Sequence, residues 1–436
     1  MSGSDPDGGI PGPTGDPGTA DAADPVGFLR RRRVAFAATS VLLVGYLLAT
    51  FCIVAAVTHR GWQSPGDFWA NYQLAHDVAI GDYAHIYFQS SLLSPPAILF
   101  VLIPFVQVTS HFGLTTGYGI AVARPSAWPV VAPVIVLLGS SALFGADALA
   151  EALGVGVRRR LAAGLVGALV LGNVLWWGHP EDAVAVAFLL YAVRAAIGRR
   201  WSTSAWLLGF GMAFQPMIVL AIPVILLPAG WRRLPGLVAR VAALPVVLLV
   251  VPFLGDPSST YRAVAVQPVI PALVRPTVWM RFAPHIGNEV SFGGAAVAGG
   301  PVRLVAGAAA LALGLWFMRR ERRPEVLVWC VAVTLALRFL FDVGVAPYYV
   351  WPPLAAALVA ASTRSPTRLA LTGTAAVAVT WLANVRVLTA WLWWPIAAGV
   401  VLTVVLAAPR RSPPATEPST DPEAPVLVVP ATSTAD

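Results

Sequence analysis

The chain is predicted to be all-α, a polytopic transmembrane helix bundle of about 10–12 spans, and three observations carry that prediction. Of its 436 residues, 57% are hydrophobic and only 11% are charged. Apolar runs of spanning length follow one another from residue 34 to residue 407. Every basic side chain is an arginine, and the arginines gather in short clusters between those runs. No soluble globular chain of this size has such a balance. The net charge of +8 therefore reports orientation in a membrane, not nucleic-acid binding. The lack of lysine also excludes a Walker-type phosphate loop.

Taken in order, residues 1–28 are rich in Gly, Pro and Asp, and 411–436 in Pro, Ser, Thr and Glu. Both lack the apolar surface to fold and are expected to be disordered cytoplasmic tails flanking a multi-span membrane domain at 29–410. The first apolar run, 34–57, is too long and stands behind too long a leader for a cleaved signal peptide, so it reads as an anchor. Arginine clusters recur at 30–33, 158–160, 199–200, 232–233, 319–323, 364–368 and 410–411. The positive-inside rule places all of them in the cytoplasm, with the bundle in the plasma membrane. An even number of crossings must then separate neighbouring clusters, and both termini are cytoplasmic.

On that rule 34–57 goes out. The pairs 161–177 and 182–197, 241–254 and 302–318, 326–341 and 352–362, and 369–385 and 388–407 each go out and return. Between the first loop and Arg158 lie the runs 95–109 and 128–150, so parity requires either a further short crossing around 110–126 or a re-entrant segment. The stretch 203–229 is too short for two spans at about 1.5 Å per residue through about 30 Å of hydrocarbon. It reads as a hairpin broken at Gln215-Pro216, where Pro216 removes a backbone donor. Broken helices are tolerated in membranes where they line an enclosed cavity.

This topology leaves outer loops at about 58–94, 178–182, 255–300 and 342–351, and they collect the ionisable groups. Eight of the twelve acids outside the tails fall there: Asp67, Asp77, Asp82, Glu181, Asp182, Asp256, Glu289 and Asp342. So do His59, His76, His85, His179 and His285. Charges beside a membrane span are costly, which makes this outer cluster the functional-site candidate. In the first loop, Phe68, Tyr72, Ala75 and Ala79 fit one face of an interfacial amphipathic helix with Asp67 near its start. Asp67 is there either an N-cap or a catalytic carboxylate. His179-Pro180-Glu181-Asp182 is either an ordinary helix N-terminus or part of a site. Arg338 and Asp342 stand four apart and can pair, so Arg338 is either one partner of a structural ion pair or a phosphate ligand. Cys52 and Cys330 lie inside spans without a CxxC partner, read as small buried hydrophobes, and give no support to a metal site.

Several stretches resemble the GT-C class of integral-membrane glycosyltransferases, in particular the polyprenol-phosphate-mannose-dependent mannosyltransferases of actinobacteria. They are GDFW with its aromatic helix, GDYAHIY leading into SPPAILFVLIP, and the hairpin FGMAFQPMIVLAIPVILL before an arginine pair, with weaker likeness through RFLFDVGVAPYY. The likeness covers roughly residues 60–235. The chain departs from the pattern at Gly178-His179-Pro180-Glu181, where a Gly-Gln-x-Asn-like turn is expected, and at Gln215-Pro216, where a Lys-Pro pair is common.

The resemblance implies a GT-C-like bundle with interfacial helices in the first outer loop and a catalytic Asp there, which maps onto Asp67. The chemistry of such a transfer is consistent with it. The attacking hydroxyl needs a carboxylate to take its proton, and the departing lipid phosphate needs fixed cations. Asp67 is the expected base, and Arg275, Arg281 and Arg338 are the candidates for phosphate. Asp82, His85, His179, Glu181, Asp182, Gln215, Asp342 and Tyr348 complete the expected substrate-binding set. No cofactor is expected beyond the lipid-linked sugar as co-substrate, with mannose or arabinose as the sugar. The expected partners are a polyprenyl-phosphate sugar, a glycolipid or glycan acceptor and the bilayer, with no nucleic acid. Alternatives are a transporter or flippase for lipid-linked sugars and a non-catalytic subunit of an envelope-synthesis complex.

Overall fold

The computed structural model describes residues 25–53, 64–88, 95–116, 125–271, 274–286, 296–299, 302–320, 323–385 and 390–409. Most of the tails, His59 and Glu289 lie outside the described residues. Thirteen principal helices make up the described bundle: α1 (Arg33–Leu47, prolonged by a π-helical turn, Leu48–Ile53), α2 (Gly66–Ala79), α3 (Pro96–His111), α4 (Trp128–Ala152), α5 (Val157–Trp177), α6 (Pro180–Ile197), α7 (Trp201–Phe214), α8 (Leu234–Gly255), α9 (Val302–Arg320), α10 (Pro324–Leu340), α11 (Trp351–Ser362), α12 (Pro366–Ala383) and α13 (Trp393–Leu406). Sheet among the described residues is confined to two-residue strands: β1 (Arg275–Pro276), β2 (His285–Ile286), β3 (Ala296–Val297) and β4 (Gly344–Val345).

Among the described residues, five helical segments are long and apolar enough to cross a membrane: Arg33–Ile53, Trp128–Ala152, Val157–Trp177, Leu234–Gly255 and Val302–Arg320. On α8 and α9 the outward side chains are themselves apolar, among them Val246, Val247, Leu254, Leu304 and Val305. An exposed apolar surface of that extent needs hydrocarbon, not water, around it. The chain is a membrane-embedded helical bundle. The core between helices holds the small residues of α6 and α11 together with Trp69, Trp128 and Trp351, each at most 2% exposed.

Of the segment 95–127, residues 95–116 and 125–127 are described, and the two described ends meet. Thr115 and Ser126 clasp each other: Thr115 N donates to Ser126 Oγ at 2.8 Å, and Ser126 N to Thr115 Oγ1 at 3.0 Å. α3, at about 1.5 Å per residue, is shorter than the hydrocarbon layer. Its two ends stay with the first loop, through Thr109 Oγ1 bonded to the Tyr72 hydroxyl at 2.6 Å and Phe100 edge-on to Tyr83 at 5.0 Å. α1 and α4 both belong to the helical segments long and apolar enough to cross a membrane.

The break at Gln215 is present as well. α7 ends at Phe214, Gln215 is extended (φ −156°, ψ 114°), and the chain continues as a 3₁₀ turn, Pro216–Ala221, before resuming helix. Two expectations are corrected. Cys52 is exposed on the π-helical turn of α1, and only Cys330 is buried. Asp342 lies beyond the end of α10 at Leu340 rather than on it.

Candidate functional site

The site is built around one turn. α5 ends at Trp177, and Gly178 leaves the helix in the left-handed region (φ +87°), which a side chain disfavours. His179 follows, then Pro180 opens α6 with Glu181 and Asp182 in its first turn, where the helix dipole favours negative charge. A Cβ on Gly178 would sit 2.7 Å from both the Phe68 nitrogen and Pro65 Cβ. Glycine therefore lets the start of α2 lie directly on the turn, and this brings Asp67 to His179.

Asp67 does not cap its helix. Pro65 holds the N-cap position of α2 without a side-chain cap, and the Asp67 carboxylate turns to His179 instead. His179 Nε2 stands 3.2 Å from Asp67 Oδ2, and its Nδ1 stands 2.7 Å from Glu181 Oε1. Asn71, one turn along α2, donates to the same Glu181 oxygen at 3.4 Å. The Asp67 side chain is 47% exposed, His179 14% and Glu181 2%, so the chain of hydrogen bonds runs from surface to interior. Beside it Asp182 is buried and accepts a hydrogen bond from Gln215 at the helix break.

The imidazole is held from its face as well. Tyr348 stacks on His179 with ring centroids 3.8 Å apart and 28° between planes, and the segment that carries Tyr348 is tied to α5 by Asn173 Nδ2 donating to the Pro347 carbonyl. Burial opposes a charge on His179. Glu181, Asp67 and Asp182 together outweigh it, so the imidazole's pKa is pushed up to about 10. His179 is thus an imidazolium at neutral pH, donating to carboxylates on both sides.

A second cluster adjoins the first through Tyr348 and Tyr349. Asp342, fully buried, is gripped by two arginines: Arg338 Nε at 2.5 Å and Arg303 Nη2 at 3.0 Å. Two cations on one carboxylate leave an excess of one positive charge, and both guanidinium side chains are partly exposed, 21% and 23%. Arg338 also lies over the Tyr349 ring at 5.3 Å. Arg303 is steadied by Gln267 Oε1 at 2.6 Å, and Gln267 itself adopts a left-handed backbone (φ 48°) that is uncommon for a residue with a side chain.

No family model and no curated protein matches this chain.

The candidate residues separate into those that the fold brings together and those that it does not. Asp67, His179, Glu181, Asp182, Gln215 and Tyr348 form one connected group, and Arg338 and Asp342 adjoin it. Asp82 and His85 instead pair with each other at 2.7 Å on the surface, both more than half exposed, beside the end of α8. Arg281 is exposed on a 3₁₀ turn, Val278–Phe282. Arg275 is engaged elsewhere. It is 4% exposed and its Nη2 donates to the Val385 and Ala383 carbonyls at 2.7 and 3.3 Å, closing the C-terminus of α12. As the first residue of β1, paired with β4, it fastens the third outer segment to the fourth. A phosphate role for Arg275 is therefore replaced by a cap.

Arg303, Asn71 and Gln267 belong to the site and were not among the sequence candidates. For Arg303 one signal existed: an arginine at the opposite end of its span from Arg319 and Arg320, where the positive-inside pattern does not account for it. Asn71 had none, because its role depends on a residue 110 positions away.

Among the described residues, no group of three His, Cys, Asp or Glu side chains is arranged to hold a metal ion. Both imidazole nitrogens of His179 are already turned to carboxylates. The arrangement offers a half-exposed carboxylate backed by a fixed imidazolium, next to a surplus of guanidinium charge. Those are the parts needed to accept a proton on one side of a reacting centre and to hold an anion on the other.

Proposed function

We propose that the chain is a membrane glycosyltransferase that moves a sugar, mannose or arabinose, from a polyprenyl-phosphate donor to a glycolipid or polysaccharide acceptor. The observation that carries this reading is the hydrogen-bonded line Asp67–His179–Glu181, with Arg303 and Arg338 beside it. In the proposed reaction the acceptor hydroxyl passes its proton to Asp67 as its oxygen bonds to the anomeric carbon. The bond from that carbon to the phosphate oxygen breaks, and the lipid phosphate leaves toward Arg303 and Arg338. His179 and Glu181 do not touch the acceptor; they fix the orientation of Asp67. The isoprenoid chain has hydrocarbon beside the apolar faces of α8 and α9.

One observation favours a second reading, a transporter of lipid-linked sugars. The helix broken at Gln215 donates to the buried Asp182, and broken helices facing buried polar groups are a transporter device. One assay separates the two. Membranes containing the chain are given radiolabelled mannose or arabinose on polyprenyl phosphate, beside an Asp67→Asn variant expressed equally well. The enzyme reading expects transfer to glycolipid that falls at least about 100-fold in the variant, the usual scale of a lost general base. Equal transfer by both chains removes Asp67 from the mechanism. Absence of transfer with either donor, alongside movement of the donor across the membrane, establishes the transporter.

A further inference from the structure

Arg303 stands in the first turn of α9, yet its guanidinium is placed by the third outer segment. The antiparallel bridge between Val269 and Val297, with N–H donated each way at 2.8 and 2.9 Å, leaves Gln267 and Gly299 facing each other two residues beyond it. Arg303 meets both. Gln267 Oε1 accepts from its Nη1 at 2.6 Å, and a Cβ on Gly299 would stand 2.2 Å from its Cζ. Only glycine lets the guanidinium lie against the backbone there. The bridge is moored in turn, because Val269 and Val297 pack in one apolar cluster with Val343, whose N–H donates to Asp342 Oδ1 at 2.9 Å.

Gln267 is itself fixed. Its Nε2 donates to the Val264 carbonyl at 3.0 Å, which orients the amide with Oε1 toward Arg303. Its backbone is left-handed (φ 48°), and such uncommon conformations gather at ligand clamps. The residue type matters as much as the geometry. Arg303 gives Nε and Nη2 to Asp342 Oδ1 at 3.3 and 3.0 Å, and Arg338 gives Nε to Asp342 Oδ2, so one carboxylate faces two cations. A carboxylate in place of the Gln267 amide would hold Arg303 as firmly but cancel the remaining positive charge. The neutral amide aims the guanidinium and leaves that charge for a ligand.

We propose that Gln267 and Gly299 are positioning residues for Arg303, holding its guanidinium beside Arg338 to receive the phosphate of a lipid phosphate. The identity of that anion rests on the transfer reading. The positioning itself rests on the contacts of Arg303, so it can be tested by binding alone.

The test is the affinity of the full chain in neutral detergent for farnesyl phosphate, beside farnesol and inorganic phosphate, read from the thermal midpoint against ligand concentration. Farnesyl phosphate is expected to raise the midpoint, and the other two at equal concentration to leave it unchanged. Gly299→Ala displaces only the flexible end of Arg303, so it should keep the ligand-free midpoint and bind farnesyl phosphate about tenfold more weakly, the scale of one charge-assisted hydrogen bond. Gln267→Glu should weaken binding as much, although it keeps an acceptor for Arg303 Nη1. A merely structural Gln267 predicts no loss in that variant. Wild-type affinity in Gln267→Glu overturns the proposal, and that variant decides the matter if Gly299→Ala fails to fold. No binding of farnesyl phosphate, or an equal response to farnesol or inorganic phosphate, overturns it too. Weakened binding in both variants without sugar transfer by the wild type would uphold the positioning and remove the transfer reading instead.

Discussion

His179 is held in its charged form by its neighbours, and that has a consequence that can be measured. Its folded pKa, pushed up to about 10, lies above the ordinary histidine value of about 6.5. A raised basic group binds more protons in the folded than in the unfolded chain, so stability falls as pH rises between those two values. The contribution is complete below about 6.5 and is lost as pH passes through about 10. We therefore expect the thermal midpoint of the wild type to decline from pH 7 to pH 10. His179→Gln should lower the midpoint at pH 7 and flatten the decline. Parallel slopes for the two proteins would show that His179 is neutral in the folded chain. At this scale the sequence was legible only in part. It singled out Asp67, His179 and Glu181 because acids and imidazoles beside a membrane span are unusual. It could not tell a cap from a site, because that choice depends on whether Asp67 turns toward its own helix or toward a residue 112 positions away. The same limit applied to Arg275, whose carbonyl partners lie at the end of α12 and just past it.

The element that decides the site is the α5–α6 turn, and Gly178 is its hinge point. Gly178→Ala places a Cβ 2.7 Å from the Phe68 nitrogen in a backbone conformation that alanine disfavours. Strain of this kind typically costs roughly 1–3 kcal/mol. Relief requires α2 to move away from the turn, which lengthens the contact between Asp67 and His179. The expected result is a modest fall in thermal midpoint and, for the proposed transfer, a loss approaching that of Asp67→Asn. Full transfer by a normally expressed Gly178→Ala chain would show that the Asp67–His179 contact is dispensable. Helix breaks were readable from the sequence where chemistry forces them, as at Gln215-Pro216. The contacts at the ends of 95–127 were not, because neither the Thr115–Ser126 clasp nor the packing of α3 on α2 has a periodic signature.

At the scale of the whole molecule, hydropathy made the membrane-embedded helical bundle legible, since a bilayer leaves few alternatives to a helix for an apolar run, and five of the described helices are long and apolar enough to span it. The positive-inside rule makes a claim about sidedness that can be checked. Ser258, exposed just beyond α8, belongs to the end that carries Asp67, and Thr367, exposed at the start of α12, belongs to the arginine-rich end. In a Cys52→Ser background, Ser258→Cys should react with a membrane-impermeant maleimide in intact cells, and Thr367→Cys only after permeabilisation. The reverse pattern would put Asp67, Arg303 and Arg338 on the cytoplasmic face. A donor presented on the outer leaflet could not then reach them, and the proposed transfer would require a cytoplasmic donor instead. Sidedness thus decides which pool of the proposed lipid-linked donor the carboxylate and the two arginines can meet.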